Sequence, residues 1–270
     1  MNWKSLFTPG ANMSPDEARA FMAEHRLDEY QLLDVRQLKE YEKGHIPGAI
    51  LVPVKELTER MGELDRVKPT LVYCHSGVRS KAAAQLLQAE GFANIYNMSG
   101  GIIAYQGGKV AGDESQGMEY FVGKNFPDVF QMSYAMEEGL KQLYLALEDL
   151  VEDDTAKVLL ARLAKFEEGH KAMLRSRFPD NAVDEVTDSE LLEGGFERQQ
   201  ILDHYRDQIT QLEDIIQLAM MLELQALDLY SRLSRTSEDA ESKVFFESMA
   251  KEEKLHLKYL SDEYDNLLAV

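Results

Sequence analysis

The sequence predicts two domains of different class: an α/β domain with a mainly parallel sheet covered by helices on both faces, then an all-α four-helix bundle. Three observations carry this. Up to about residue 110, short apolar runs of strand length alternate with helical segments. Beyond about residue 118 the pattern becomes long helical periodicity without strand-like runs. Charge divides at the same place: residues 1–112 hold 13 Lys+Arg and 13 Asp+Glu, and residues 113–270 hold 16 and 35. The expected boundaries are 1–112 for the first domain, 113–117 for the linker, within the Gly- and Ser-containing stretch Gly107–Gly117, and 118–270 for the bundle. A length of 270 residues is long for one core and comfortable for two.

Composition narrows the function classes. The apolar fraction of 44% and charged fraction of 29% are those of an ordinary globular protein. The net charge of −19, all of it in the second half, argues against nucleic acid or an anionic membrane as partner. No apolar run approaches the roughly 18–20 residues that span a bilayer, and Met1–Phe7 lacks a signal-peptide core, so the expected location is the cytoplasm. A single cysteine, Cys74, excludes an intrachain disulfide framework, a four-cysteine zinc site and a rubredoxin-type iron centre.

In the first domain, Ser14-Pro15-Asp16-Glu17 is a helix start with Ser as N-cap, Pro at the first position and Glu closing a capping box; the helix runs to about Glu24. Tyr30–Leu33 reads as a buried strand ending at Asp34-Val35-Arg36, followed by a charged helical turn through Tyr41. Gly44–Gly48 is a turn, Ala49–Val52 a strand stopped by Pro53, and Val54–Met61 a short helix. Leu71–Tyr73 is the next strand, Arg79–Glu90 a helix, Asn94–Asn97 a strand, and Gly100-Gly101 opens a last helix toward Tyr105.

Between that third strand and its helix lies Cys74-His75-Ser76-Gly77-Val78-Arg79. The first N–H groups of a helix have no intrahelical partner and carry the positive end of its dipole, which favours a thiolate and an anion above it. Gly77 lets the loop curl and Arg79 adds a fixed charge. A lone cysteine after an apolar strand is by itself a small core residue; Gly77 and Arg79 turn the reading toward a nucleophile of lowered pKa.

Asp34-Val35-Arg36, Gly44-His45-Ile46-Pro47-Gly48-Ala49, the Cys74–Arg79 loop and Gly100-Gly101, in this order and spacing, make residues 15–110 resemble a single-domain rhodanese. The resemblance implies sulfur carried as a persulfide on Cys74, taken from thiosulfate or a similar small anionic donor and passed to a thiol, a protein or another acceptor. Cysteine-dependent phosphatases need one more residue between Cys and Arg; here Arg79 is five positions after Cys74 and Ser80 is sixth. Cys74 is then the nucleophile and Arg79 either a clamp of the loop or an anion contact. His75, Ser76, Gly77 and Val78 form the donor site, with His75 and Ser76 either shaping donor choice or simply exposed. Asp34, Arg36 and His45 read as hydrogen-bonding supports. Tyr105 stands where many rhodaneses have Trp.

In the second half the expected helices are Phe126–Val151, Thr155 to about Phe178, Glu197 to about Leu233 and Glu238 to about Leu268, with Pro179–Gly195 as a long crossover. Glu167 and His170 are three apart, as are Glu253 and His256, so each pair projects from one helix face. A shift of 86 residues superposes Glu137 on Glu223, Tyr144 on Tyr230, Glu167 on Glu253 and His170 on His256, an internal duplication of a helix hairpin. Carboxylates inside apolar stripes call for a compensating cation. One Glu from each of two helices and a Glu-x-x-His from each of the other two is the ligand set of a two-metal carboxylate site, so Glu137, Glu167, His170, Glu223, Glu253 and His256 are the expected ligands of two iron ions, with manganese as the alternative. Tyr144 and Tyr230 either bond ligand carboxylates or are core tyrosines.

On these residues the bundle resembles the ferritin-like rubrerythrin family. Rubrerythrins usually carry one further carboxylate a turn past the third-helix Glu, and here that place is Ala226. Their cysteine-ligated iron domain is missing too, so an external electron donor is implied for any redox turnover. The expectation is a sulfurtransferase fused to a di-iron domain with oxidase or peroxidase activity, as a homodimer; the rival is a sulfurtransferase whose bundle only dimerises or holds iron.

Overall fold

A computed structural model describes residues 11–112, 129–177, 189–192, 196–205, 209 and 211–268. The chain divides into two compact units; among the described residues the first takes in 11–112, Tyr230–Ser237 and Lys243–Lys251, and the second takes in the rest. Residues 113–117, expected as the linker, and most of the expected crossover lie outside the described residues.

The first unit contains a five-stranded sheet in the order β1-β5-β4-β2-β3, with β1 Ala11–Met13, β2 Gln31–Asp34, β3 Ile50–Leu51, β4 Thr70–Tyr73 and β5 Ile95–Met98, all pairs parallel. The helices are α1 Pro15–Glu24, α2 Leu38–Glu42, α3 Leu57–Arg60, α4 Val78–Ala89 and α5 Gly101–Ala104. Central β2 and β4 are buried at every position, as a sheet covered on both faces requires. Neighbouring residues separate to opposite faces. Leu33 and Val72 pack with Leu57, Ala83 and Leu87, whereas Leu32 and Leu71 pack with Ala18, Tyr41 and Ile102. Tyr105 belongs to this second cluster, so packing accommodates it in the place of a Trp.

The capping box forms as expected, with Glu17 N bonded to Ser14 Oγ at 3.2 Å and Ser14 N to Glu17 Oε2 at 2.7 Å. Two elements differ. The helix expected over Val54–Met61 is only the single turn α3 followed by a 3-10 turn, Met61–Glu63. Edge strand β1, too short and polar to read as a strand, is held by its register with β5.

The remaining helices are α6 Val129–Leu150, α7 Asp154–Arg177, α8 Arg198–Tyr205, α9 Leu212–Thr236 and α10 Ala240–Leu268; the second unit holds them all except Tyr230–Thr236 of α9 and Lys243–Lys251 of α10. The apolar interior of the second unit includes Leu140, Leu143, Leu160, Leu163, Ile216, Leu222 and Leu260. The helix expected over Glu197–Leu233 is two helices, because the chain starts afresh at Gln211: its N–H is capped by Asp214 Oδ2 at 3.0 Å. A second departure is a small antiparallel ribbon, β6 Leu191–Leu192 with β7 Phe196–Glu197. It lies directly on α6 at Gly139, where a β-carbon would collide with the Leu191 carbonyl oxygen.

Candidate functional site

The nucleophile loop hangs between the end of β4 at Tyr73 and the start of α4 at Val78. Cys74 is buried; its Sγ accepts the Gly77 N–H at 3.1 Å and faces the Ser80 hydroxyl at 3.4 Å. Burial pushes the thiol up, but the Ser80 hydroxyl and the N–H groups of Ser80, Ser76 and Gly77 outweigh it, leaving the Cys74 pKa below the ordinary thiol value. Gly77 adopts φ of 91°, and a β-carbon there would come 2.9 Å from Gly100 N. From beneath, Ile102 N–H donates to the Cys74 carbonyl at 2.8 Å and Ile103 N–H to that of His75 at 3.2 Å. Gly101, with φ of 59°, leaves room for this: a β-carbon would lie 2.6 Å from the His75 oxygen.

The Arg79 guanidinium is occupied. Nη1 and Nη2 donate to the two oxygens of Glu40, each at 2.7 Å. That hydrogen bonding holds the Glu40 carboxyl down to about 2. The pair ties the loop to α2, and Arg79 also acts electrostatically on Cys74. Glu40 was not legible in the sequence, where it lies within the charged helical turn through Tyr41; it also accepts the Gln37 N–H at 3.2 Å. A second missed feature lies behind Cys74. Ser80 Oγ donates to Asn97 Oδ1 at 2.7 Å, and Asn97 Nδ2 to Asn12 Oδ1 at 2.9 Å, so β5 and β1 orient the hydroxyl that faces the sulfur.

Asp34, Arg36 and His45 serve the fold. Arg36 Nε and Nη2 grip the buried Asp34 carboxylate at 2.9 and 2.6 Å, and Nη2 also reaches the Gly44 carbonyl at 2.8 Å. His45 stacks on Tyr41 with ring centroids 3.6 Å apart. His75, Ser76 and Val78 are exposed around the loop, Val78 to 74%.

In the second unit Glu137 on α6, Glu167 and His170 on α7, Glu223 on α9, and Glu253 and His256 on α10 are all buried. The ligand atoms of Glu137, Glu167 and His170 lie within 4.8 Å of one another, as do those of Glu167, Glu223 and His256, so Glu167 stands in both triads. His170 Nδ1 is 2.9 Å from Glu137 Oε2 and 3.4 Å from Glu167 Oε2; His256 Nδ1 is 3.4 Å from Glu223 Oε2. Glu253 joins neither triad, its Oε2 lying 3.7 Å from His256 Nδ1. Tyr144 donates to Glu223 Oε1 at 3.5 Å, and Tyr230 is buried.

Burial, with the neighbouring charges of Glu223 and Glu137, pushes the Glu167 carboxyl well up, against the pull of His170. Burial also opposes the charged form of His170, but Glu137 and Glu167 overcome it and raise its pKa well above the usual value. Glu167 Oε1 and His170 Nε2 are buried without a hydrogen-bond partner among the described residues. A convergence of buried carboxylates and imidazoles with such orphaned atoms fits a divalent iron or manganese pair. The rings of His170 and His256 stack at 4.7 Å and Phe166 covers His256 at 4.8 Å. A surface groove lined by Phe166, Gly169, His170, Met173, Glu252 and His256 reaches this pair of imidazoles. Beside the cluster, buried Lys171 pairs with Glu138 and with Glu168, the latter at 2.6 Å.

Comparison with known proteins matches residues 14–107 to the rhodanese-like domain and residues 128–264, just over half the chain, to rubrerythrin. The chain is 45% identical over 80 residues to the uncharacterized protein YqhL of Bacillus subtilis, covering 30% of this chain and 63% of that protein. It is 39% identical over 70 residues to the thiosulfate sulfurtransferase GlpE of Coxiella burnetii, covering 26% and 65%. In each the match therefore spans less than two thirds of the relative's length. Among solved structures, a rhodanese-like domain protein of Staphylococcus aureus matches with a TM-score of 0.35 at 26% identity, over 37% of this chain and 97% of that one. Among the described residues, no helix is long and apolar enough to cross a membrane. A rubrerythrin domain implies a di-iron centre, and the chain belongs to the rubrerythrin family, with a rhodanese-like domain ahead of its rubrerythrin domain.

Proposed function

We propose that the protein is a sulfurtransferase that carries sulfur on Cys74, joined to a di-iron domain. The observation that supports it most is the Cys74 sulfur, held at the head of α4 by the Gly77 N–H and Ser80 hydroxyl. The Cys74 thiolate attacks the outer sulfur of a sulfane donor such as thiosulfate; an Sγ–S bond forms, the donor's own S–S bond breaks, and the remainder leaves with the electron pair. An acceptor thiol, free or on a protein, then attacks the outer sulfur and Cys74 departs as thiolate. Loop amides suit both states, since the negative charge moves only one atom outward. The domain boundaries proposed are 1–112 and 118–270. Substituting Cys74→Ser tests the reading: sulfur transfer is abolished and metal content is unchanged. Persistent transfer in that variant would refute it.

In the bundle, Glu137, Glu167, His170, Glu223, Glu253 and His256 are proposed to hold the two ions, iron with manganese as alternative. Iron bound there supplies one-electron redox chemistry toward dioxygen or peroxide. The residues around it hold the ligands in place: Tyr144 donates to Glu223, and Phe166 stacks on His256. Electrons would reach it from a separate donor protein, and a homodimer is the proposed assembly. The competing reading, a bundle that only dimerises or stores iron, is separated by the absorbance response of the iron-loaded protein to peroxide; no response favours that competitor.

A further inference from the structure

The Cys74 loop has an arginine beside it that acts on the Cys74 sulfur, and the charge of that arginine is opposed by a carboxylate. Each terminal nitrogen of Arg79 donates to one oxygen of Glu40 at 2.7 Å. The pair is about one third exposed on each side, at the surface where a donor arrives. The other arginine of the family motifs, Arg36, is buried and spent on Asp34 and on the Gly44 carbonyl. Beside the exposed His75 and Ser76, the loop carries two exposed apolar side chains: Val78 is 74% exposed, and Ile103, whose N–H holds the His75 carbonyl, is 62% exposed.

We propose that Glu40 is a specificity-determining residue that sets the charge of the sulfur donor, cancelling Arg79 so that the site favours a persulfide over a dianion such as thiosulfate. The inference rests on the reading of Cys74 as the sulfur carrier. Charge bookkeeping gives the reason. With thiosulfate, the Cys74 thiolate attacks the outer sulfur, the S–S bond breaks and sulfite leaves; the reacting group carries three negative charges throughout, one on Cys74 or its persulfide and two on the donor or sulfite. With a protonated persulfide R–S–SH, the same attack gives Cys74–S–SH and the thiolate RS⁻, and the reacting group carries one. A free guanidinium beside the loop would lower the cost of the first case far more than that of the second, and Glu40 withholds it. The exposed apolar side chains of Val78 and Ile103 suit a donor whose sulfur rides on an organic or protein carrier.

The test uses the full-length protein and single-turnover loading of sulfur onto Cys74, followed by intact mass, with thiosulfate and glutathione persulfide as donors. In Glu40→Gln the ratio of the thiosulfate rate to the glutathione persulfide rate is expected to rise about tenfold, as a released unit charge acting on a dianion requires. In the double variant Glu40→Gln/Arg79→Met the ratio is expected to return to the wild-type value, and high salt should shrink the gain in the single variant. If Glu40→Gln does not fold, Arg79→Lys is read instead: it keeps the charge, cannot make the two-pronged contact, and should raise the ratio in the same direction. An unchanged ratio with normal loading, or a rise that survives removal of Arg79, overturns the proposal alone. No sulfur on Cys74 from either donor overturns the carrier reading as well.

Discussion

The Ser80 hydroxyl lies 3.4 Å from Cys74 Sγ and 2.7 Å from Asn97 Oδ1, so one proton serves two acceptors. Asn97 is in turn tied to Asn12 at 2.9 Å, which fixes the hydroxyl from the side away from the sulfur. Ser80→Ala should therefore leave Cys74 in place and raise its pKa. Its alkylation by iodoacetamide, followed against pH, is expected to move its midpoint up by about 1 pH unit, the size of one hydrogen bond to a charged group. An unmoved midpoint would leave the loop amides and the Arg79 charge as the cause.

Wild-type Cys74 is expected to alkylate with a midpoint below the ordinary thiol value of about 8.5, because its folded-state pKa is lowered. The sign for stability follows. A group with a depressed folded pKa adds stability that is fully present above the unfolded value and is lost as pH falls through the folded value. Comparing thermal midpoints of the wild type and Cys74→Ser from pH 6 to pH 10 should show the wild type gaining on the variant as pH rises.

Because Glu167 belongs to both triads and Glu137 to one, their removal should not be equal. Glu167→Ala is expected to lower bound metal to less than about one ion per chain, whereas Glu137→Ala retains about one, on the two-ion ligand set. Elemental analysis of the iron-loaded proteins decides it, and an unchanged content in Glu167→Ala would dismiss the ligand assignment.

Gly139→Ala places a methyl group against the Leu191 carbonyl. Either the β6–β7 ribbon lifts from α6 or the helix shifts, and overpacking of this kind costs about 1–3 kcal/mol. A lowered thermal midpoint with unaltered Cys74 reactivity is the expected result, since the two features belong to different units.

Features set by local rules were legible in the sequence. Ser14, Pro15 and Glu17 announce α1 through a box closed within four residues. The apolar runs around Leu33 and Val72 announce buried parallel strands, and the repeat at 86 residues brings out Glu137, Glu167 and His170 with their counterparts. Partners brought together from distant positions stayed hidden. Glu40 meets Arg79 across 39 residues and Asn97 meets Asn12 across 85, and no spacing rule connects either pair. The break before Leu212 was hidden too, because Gln211 and Asp214 form their cap inside a stretch whose apolar period continues through it. Strand β1 has no apolar pattern of its own and exists through its pairing with β5.

The two N–H groups of Ile102 and Ile103 that hold the Cys74 and His75 carbonyls come from α5, which follows the whole parallel sheet in the chain. The loop that carries the nucleophile is thus suspended from two sides, by the strand and helix that flank it and by a turn of helix it shares no sequence with. A change confined to α5 reaches the sulfur through two backbone hydrogen bonds without disturbing any strand.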